Sequence, residues 1–446
     1  MADHPLIRDY GADAIFAWRA GRPVGVNQFL RDVTQLAATL PDRRHMLNLC
    51  ADRYRFLVGF NAALLRRQIS LLPPNHTPNL IDQLARQYPD VYCLTDGEDE
   101  HPALSTVFYP GFPDYTTAVT PPVPSIPATH IAAMVFTSGS TGEPVPHQKS
   151  WGGLVRSARA EAERLGLAAH PGMVILGTVP PQHMYGLEST VLLPTQNGLA
   201  MHACRPFYPA DIRDELEALP RPRGLVTTPV HLRALLAEPV RPPLADLLLC
   251  ATAPLSPQLA ADAEARFAAP LFEIYGCTEA GQVATRRTVE AADWRAFPGI
   301  ALRQDDAGTW AGGGHVETEV LLADVIELRD DNTFLLHGRT ADLVNIAGKR
   351  TSLANLNYHL NSIEGVIDGV FVMPEEDGDS ITRLTAFVVA PTLSAETIMN
   401  ALRQRIDTVF LPRPLCMVDA LPRNATGKLP RQALHELVTN LAARAE

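Results

Sequence analysis

Phe136-Thr137-Ser138-Gly139-Ser140-Thr141-Gly142-Glu143-Pro144 is the stretch on which the reading of this chain turns. The apolar run that leads into it predicts a buried strand over 131–136. The segment then falls at a strand's carboxyl end, where open α/β sheets bind ligands. Hydroxyls at Thr137, Ser138, Ser140 and Thr141 offer donors, and Gly139 and Gly142 let backbone N–H groups come close. That combination suits a polyphosphate. It is not a Walker loop, because no Gly-Lys-Ser/Thr closes it at the required spacing. A polar surface loop has the same composition, so the rest of the chain has to decide.

At 446 residues the chain is too long for one typical core, and domains of about 100–200 residues imply two to four units. A hydrophobic share of 46% with 20% charged residues is that of a globular protein. A net charge of -11 without a long basic block argues against nucleic-acid binding. The N-terminus lacks a basic-then-apolar leader and no apolar run reaches about 18 residues, so a cytoplasmic protein without a membrane span is expected. Cys50, Cys93, Cys204, Cys250, Cys277 and Cys416 form no CxxC pairs, which points to reduced thiols and neither a disulfide framework nor a zinc site.

Outward from the central stretch, hydrophobic spacing predicts helices over 26–40, 55–65 and 80–87, with strands over 46–50, 69–72 and 91–94 between and after them. Pro121, Pro122, Pro124 and Pro127 read as an extended connector, a subdomain break near 119–128. Beyond the loop, helices over 151–165, 188–193, 231–236 and 257–267 alternate with strands over 173–178, 224–228, 247–250 and 271–275. Short β segments over 316–322, 325–329 and 333–337 follow. This alternation predicts an α/β fold, a large N-terminal domain with parallel-rich sheets. A smaller α+β unit begins near Gly338, with helices over 353–360, 395–405 and 432–443 and strands over 366–373 and 384–389. From residue 401 onward seven Lys/Arg stand against four Asp/Glu. Arg403, Arg405, Arg413, Arg423 and Arg431 form either a solvated face or a docking patch for an acidic partner.

Four further stretches carry chemistry. Tyr275-Gly276-Cys277-Thr278-Glu279 ends a strand with an aromatic ring for a purine, a hydroxyl for a phosphate and a carboxylate suited to Mg²⁺. Ala251-Thr252-Ala253-Pro254 closes another strand with small residues on which a flat ring can lie. Asp324 stands among apolar neighbours, where a carboxylate needs hydrogen-bond donors such as ribose hydroxyls. Gly338-Arg339 precedes the small unit, and the 424–431 turn presents Lys428.

In this order the set resembles the acyl-adenylate-forming superfamily of acyl-CoA synthetases, nonribosomal adenylation domains and luciferases, from about Val26 to Leu434. The resemblance implies ATP and Mg²⁺ as cofactors and a small carboxylic acid as substrate. Residues 137–142 would be the phosphate loop. Ala251, Thr252, Ala253 and Pro254 would hold adenine with Tyr275 and Gly276. Thr278 would meet the α-phosphate and Glu279 the metal, while Asp324 and Arg339 would take the ribose. Lys428 would be the lysine of the first half-reaction. His183, Tyr185, Gly186, Leu187 and Gly281 would line the acyl pocket, His183 as its gate, and Gly348 the thiol tunnel. Domains of 1–338 and 343–446 would rotate about a hinge at 339–342, the smaller acting as a mobile lid.

The chain departs from the family pattern at Val145, where a lysine usually follows the proline, with Lys149 nearby as a substitute. Ala341 replaces a charged hinge residue, and Asn355 and Asn357 replace acidic ones. With the 146–151 run, these changes look like the stand-alone ligases of bacterial aryl polyene and yellow-pigment pathways. That likeness implies an aromatic acid, such as a hydroxybenzoate, loaded onto the phosphopantetheine of an acidic acyl carrier protein. Alternatives are a ligase using free CoA, a non-catalytic nucleotide-binding relative, and kinase-type phosphoryl transfer, which would yield ADP instead of AMP.

Overall fold

The computed structural model describes residues 3–8, 10–11, 14–98, 103–111, 122–138, 144–339, 343–346, 349–373, 384–423, 429–430, 433–434 and 436–439. The strand that leads into the glycine-rich stretch runs over Ile131–Ser138 and pairs antiparallel with Pro144–Ser150. On its other edge it pairs in parallel with Ile69–Leu72. His45–Asn48, Tyr92–Thr95 and Ser105–Phe108 complete a six-stranded sheet. Ser105–Phe108 and Ile131–Ser138, the strands before and after the expected break at 119–128, belong to this one sheet, and residues 119–121 lie outside the described residues.

The change of sheet comes after the helix Trp151–Arg164. Leu271–Cys277, Leu247–Cys250, Arg223–Thr227, Val174–Gly177, Ala200–His202 and Ile15–Arg19 lie side by side in parallel. Antiparallel strands extend this sheet to eleven, from Arg22–Gly25 at one edge to Asp324–Leu328 at the other. Covered on both faces, the central strand Leu247–Cys250 is apolar and buried throughout. The hairpin of Ile15–Arg19 and Arg22–Gly25 was not expected from the sequence, since its strands alternate too briefly to register as a pattern.

Two helical segments bind the sheets together. Trp151–Arg164 sends Trp151, Leu154, Val155 and Ala158 into the core of the first sheet and Ala160 and Ala162 into that of the second. The second segment is longer than the 188–193 helix read from the sequence. It comprises Met184–Gly186, a π-helical stretch Leu187–Leu192 and Leu193–Asn197, and it also serves both cores. Burying such side chains on both sides contributes about 25 cal/mol per Å² of apolar surface.

The C-terminal unit has a core of its own around Val344, Leu356, Leu360, Phe371, Leu384, Val388, Ile398 and Leu402. It is built from the hairpin Leu343–Ile346 and Lys349–Ser352, the helices Leu353–Asn361 and Ala395–Arg403, and a sheet of Asp368–Val372, Thr385–Val389 and Leu415–Met417. Of the helix expected over 432–443, residues 433–434 and 436–439 are helical, and the others lie outside the described residues.

Candidate active site

The carboxyl end of Ile131–Ser138, the strand Pro144–Ser150 and the turn after Leu271–Cys277 meet at one crevice between the two sheets. Thr137 reaches it from the first sheet, where its Oγ1 lies 3.0 Å from His147 Nε2. Glu279 reaches it from the turn after Leu271–Cys277, and its Oε1 lies 3.6 Å from the same His147 nitrogen. Lys149, on the same strand as His147, donates from Nζ to the Glu279 carbonyl at 2.7 Å. Residues 137 and 279 thus meet through one imidazole. Thr278 beside them is half-buried. Burial and the carboxylate of Glu279 push the neighbouring Cys277 thiol up to about 12. The backbone of Ser138 ends its strand at the crevice, whereas Gly139, Ser140, Thr141 and Gly142 lie outside the described residues.

Asp324 and Arg339, expected at the ribose, are backbone partners in the pairing of Asp324–Leu328 with Thr333–Arg339. Tyr275 donates its hydroxyl to Asp324 Oδ2 at 2.8 Å. Its ring packs against Trp294 and Phe334, with centroids 5.8 and 5.7 Å away, and is only 8% exposed. Tyr275 is therefore first of all the support of Asp324, a contact between residues 49 apart that sequence spacing does not reveal. Gly276 is exposed at an irregularity of the pairing with Gly281–Arg286. In the turn Ala251-Thr252-Ala253-Pro254, Thr252 adopts a φ of 82°. That conformation costs a β-branched residue about 1–3 kcal/mol, and such strain collects at ligand sites. Ala253, Pro254 and Ala323, the neighbour of Asp324, line a cavity of about 690 Å³. Its far wall is the C-terminal unit, including Asn357, Tyr358, Arg423 and Leu429. Lys428 and Gly348 lie outside the described residues.

The segment assigned to the acyl pocket begins at His183, which caps the helical segment and whose carbonyl accepts from Leu187 N at 2.8 Å. Gly186 packs so closely that a Cβ there would stand 1.9 Å from the Pro180 carbonyl oxygen, so no other residue fits. Tyr185 donates to the Thr227 carbonyl at 3.3 Å, next to a buried cluster of Thr178, Thr227 and His231 at the ends of adjacent strands. Leu187 is fully buried in the first core. Gly281 has a φ of 79°, and a Cβ on it would stand 2.8 Å from Glu188 Oε1.

Behind Gly281 lies a buried polar chain that sequence reading missed, because only the π-helical turn brings both Glu188 and Ser189 inward. Ser157 donates to Glu188 Oε1 at 2.7 Å, Gln282 Nε2 to Ser189 Oγ at 3.0 Å, and Ser189 to Glu161 Oε1 at 2.7 Å. Burial pushes Glu161 up to about 8 and Glu188 up to about 7. A raised carboxyl pKa means that the folded state holds protons the unfolded chain releases, so stability falls as pH rises from about 4.5 to about 8. Glu161→Gln is expected to flatten the melting temperature against pH across that window. An unaltered slope would contradict this account.

Among the described residues, His202, Cys204 and Glu215 also lie close, with His202 Nε2 3.2 Å and Cys204 Sγ 3.5 Å from the Glu215 carboxylate. The guanidinium of Arg53 sits on the carbonyls of His202 and Cys204. A fixed positive charge there disfavours a cation, and Cys204 Sγ and His202 Nε2 both turn to the Glu215 carboxylate.

A profile of the AMP-binding enzyme family matches residues 34–308, more than half of the chain. The chain belongs to the AMP-binding enzyme family. This family member is 31% identical over 315 residues to a 4-coumarate–CoA ligase of Halorhodospira halophila, covering 67% of this chain and 75% of that protein. It is 23% identical over 383 residues to a 3-hydroxybenzoate/4-hydroxybenzoate–CoA ligase of Thauera aromatica, covering 76% and 72%. Its fold matches o-succinylbenzoate CoA synthetase of Bacillus subtilis in complex with an acyl-adenylate, at a TM-score of 0.81 and 17% identity, over 97% of this chain and 98% of the other. The adenylate-forming fold expected from the motifs is thus the observed one, and the enzyme is an ATP-binding, AMP-forming acid–thiol ligase. No helix among the described residues is long and apolar enough to cross a membrane.

Proposed function

We propose that this ligase activates an aromatic carboxylic acid, with a hydroxybenzoate as the model substrate, and passes it to a phosphopantetheine thiol. The observation that carries the reading is the meeting of Thr137 and Glu279, from separate sheets, on His147. One nucleotide laid across the crevice would have its phosphates between them and its ribose at Asp324. The acid's carboxylate attacks the α-phosphate, the bond to pyrophosphate breaks, and an acyl-adenylate forms. Two anions meet in that step, so fixed donors and positive charge must already be in place. Thr137, Thr278 and Lys428 are the groups for this. Glu279 offers an exposed carboxylate of the oxygen type that Mg²⁺ binds while keeping most of its water, and the ion would share the charge of the phosphates. In the second step the thiol attacks the acyl carbon and AMP leaves. The C-terminal unit would turn about 339–342 between the steps, withdrawing Lys428 and bringing up Gly348.

The aromatic acid is supported by the named substrates of the two relatives. Those relatives use CoA, which makes CoA at least as well supported a thiol source as an acidic carrier protein. The carrier protein has its support in the basic composition beyond residue 401, where Arg403 and Arg405 are exposed. Pyrophosphate release across benzoates, cinnamates and fatty acids tests the first step, and parallel assays with CoA and a holo-carrier protein separate the thiols. Reversing the charge of Arg403 and Arg405 is expected to slow carrier loading and to spare ATP–pyrophosphate exchange. Unchanged loading would remove that docking face. AMP-free product with ADP formed instead would end the proposal.

A further inference from the structure

Side chains alternate along a strand. Val145, His147 and Lys149 therefore share one side of Pro144–Ser150, with Gln148 exposed on the other. Position 145, where the family pattern has a lysine, carries a valine that is 44% exposed. The next two positions on that side carry the basic residues that touch the crevice.

Their contacts bridge its two walls. His147 Nε2 stands 3.0 Å from Thr137 Oγ1 on the first sheet and 3.6 Å from Glu279 Oε1 beyond the second. Lys149 holds the Glu279 carbonyl at 2.7 Å, and its further electrostatic partners are Glu188, Cys277 and Glu317. An ammonium carries three donors. Holding one carbonyl leaves capacity for a phosphate oxygen at the same place.

We propose that His147 and Lys149 are positioning residues of the triphosphate site, which hold the strand Pro144–Ser150 and the Thr278-Glu279 turn in register, and that Lys149 supplies the positive charge missing at Val145. This rests on the ligase reading above. An ordinary structural tie would hold the walls together for any nucleotide. A charge aimed at the β- and γ-phosphates discriminates between nucleotides instead.

The test is equilibrium binding of ATP and of AMP, each with and without Mg²⁺, to the full-length protein, alongside ATP–pyrophosphate exchange. Lys149→Met is expected to weaken ATP about tenfold or more, the size of a lost charge-assisted hydrogen bond, and to leave AMP almost unaffected. Lys149→Arg retains most of the ATP affinity, and adding Val145→Lys to Lys149→Met restores part of it. His147→Ala raises the KM for ATP more than it lowers kcat. Melting curves identify a variant that has not folded, and Lys149→Gln then takes its place. Equal weakening of ATP and AMP, or no weakening of either, overturns the proposal. Absence of pyrophosphate release by the unaltered enzyme would instead overturn the ligase reading, since the nucleotide comparison needs binding alone.

Discussion

Lys428→Ala is expected to slow acid-dependent ATP–pyrophosphate exchange by about 10²–10³-fold, the range for losing one fixed donor to developing charge, while ATP still binds. Both flanks of that lysine are held in place. On one side Leu429 lines the cavity of about 690 Å³ together with Ala253 and Pro254. On the other, Arg423 is held by the Asp368 carboxylate through two hydrogen bonds of 2.6 and 2.8 Å. Asp368 in turn lies 3.7 Å from Arg233 of the N-terminal domain. The described residues that flank 424–428 are thus held beside the turn of Ala253 and Pro254, while 424–428 itself lies outside the described residues. A non-catalytic relative would have no exchange to lose. Full exchange in Lys428→Ala would remove the lysine from the mechanism, and loss of ATP binding in step with exchange would make it a binding residue only.

The second large effect is on stability. Arg53 is fully buried, and its two terminal nitrogens donate to four carbonyls, those of Gly177 and Val179 at 2.9 Å, Cys204 at 2.9 Å and His202 at 3.1 Å. Burial pulls its guanidinium down to about 9, with Arg205 adding to the effect. Arg53 opens the helix Arg53–Leu65 of the first core, yet its side chain ends in the second sheet. Arg53→Met would leave these carbonyls unpaired, and at about 1–3 kcal/mol for each unsatisfied buried group the total is at least about 4 kcal/mol. At about 2–4 °C per kcal/mol for a large domain, the melting temperature should drop by about 10 °C. Arg53→Lys should recover only part, because a single ammonium cannot serve two separated pairs of carbonyls. A drop of less than about 3 °C for Arg53→Met would show that the sheets hold together without it.

The same two residues show where sequence reading reaches its limit. Lys428 is proposed from sequence alone, because the motifs that single it out keep their order along the chain. Arg53 is not, because an arginine at the head of an apolar helix looks like a surface charge until residues 177–204 are folded around it. The strand-end positions of Thr137, Ala251 and Tyr275 were readable from apolar runs that stop at small or polar residues. The partner of Tyr275 was not, since Asp324 reaches it only after an antiparallel strand has crossed the sheet.

By itself, then, the chain's pattern determined the α/β alternation, the strand-end motifs and the separate C-terminal core, because local hydrophobic period and strand ends are properties of neighbouring residues. Tertiary structure alone decided which sheet each strand joined, that a π-helical turn buries Glu188 and Ser189, and that His147 and Lys149 face Glu279. These depend on pairing between segments tens to hundreds of residues apart. Such pairing is chosen by the combined burial and hydrogen bonding of the whole domain, which no short window of sequence contains.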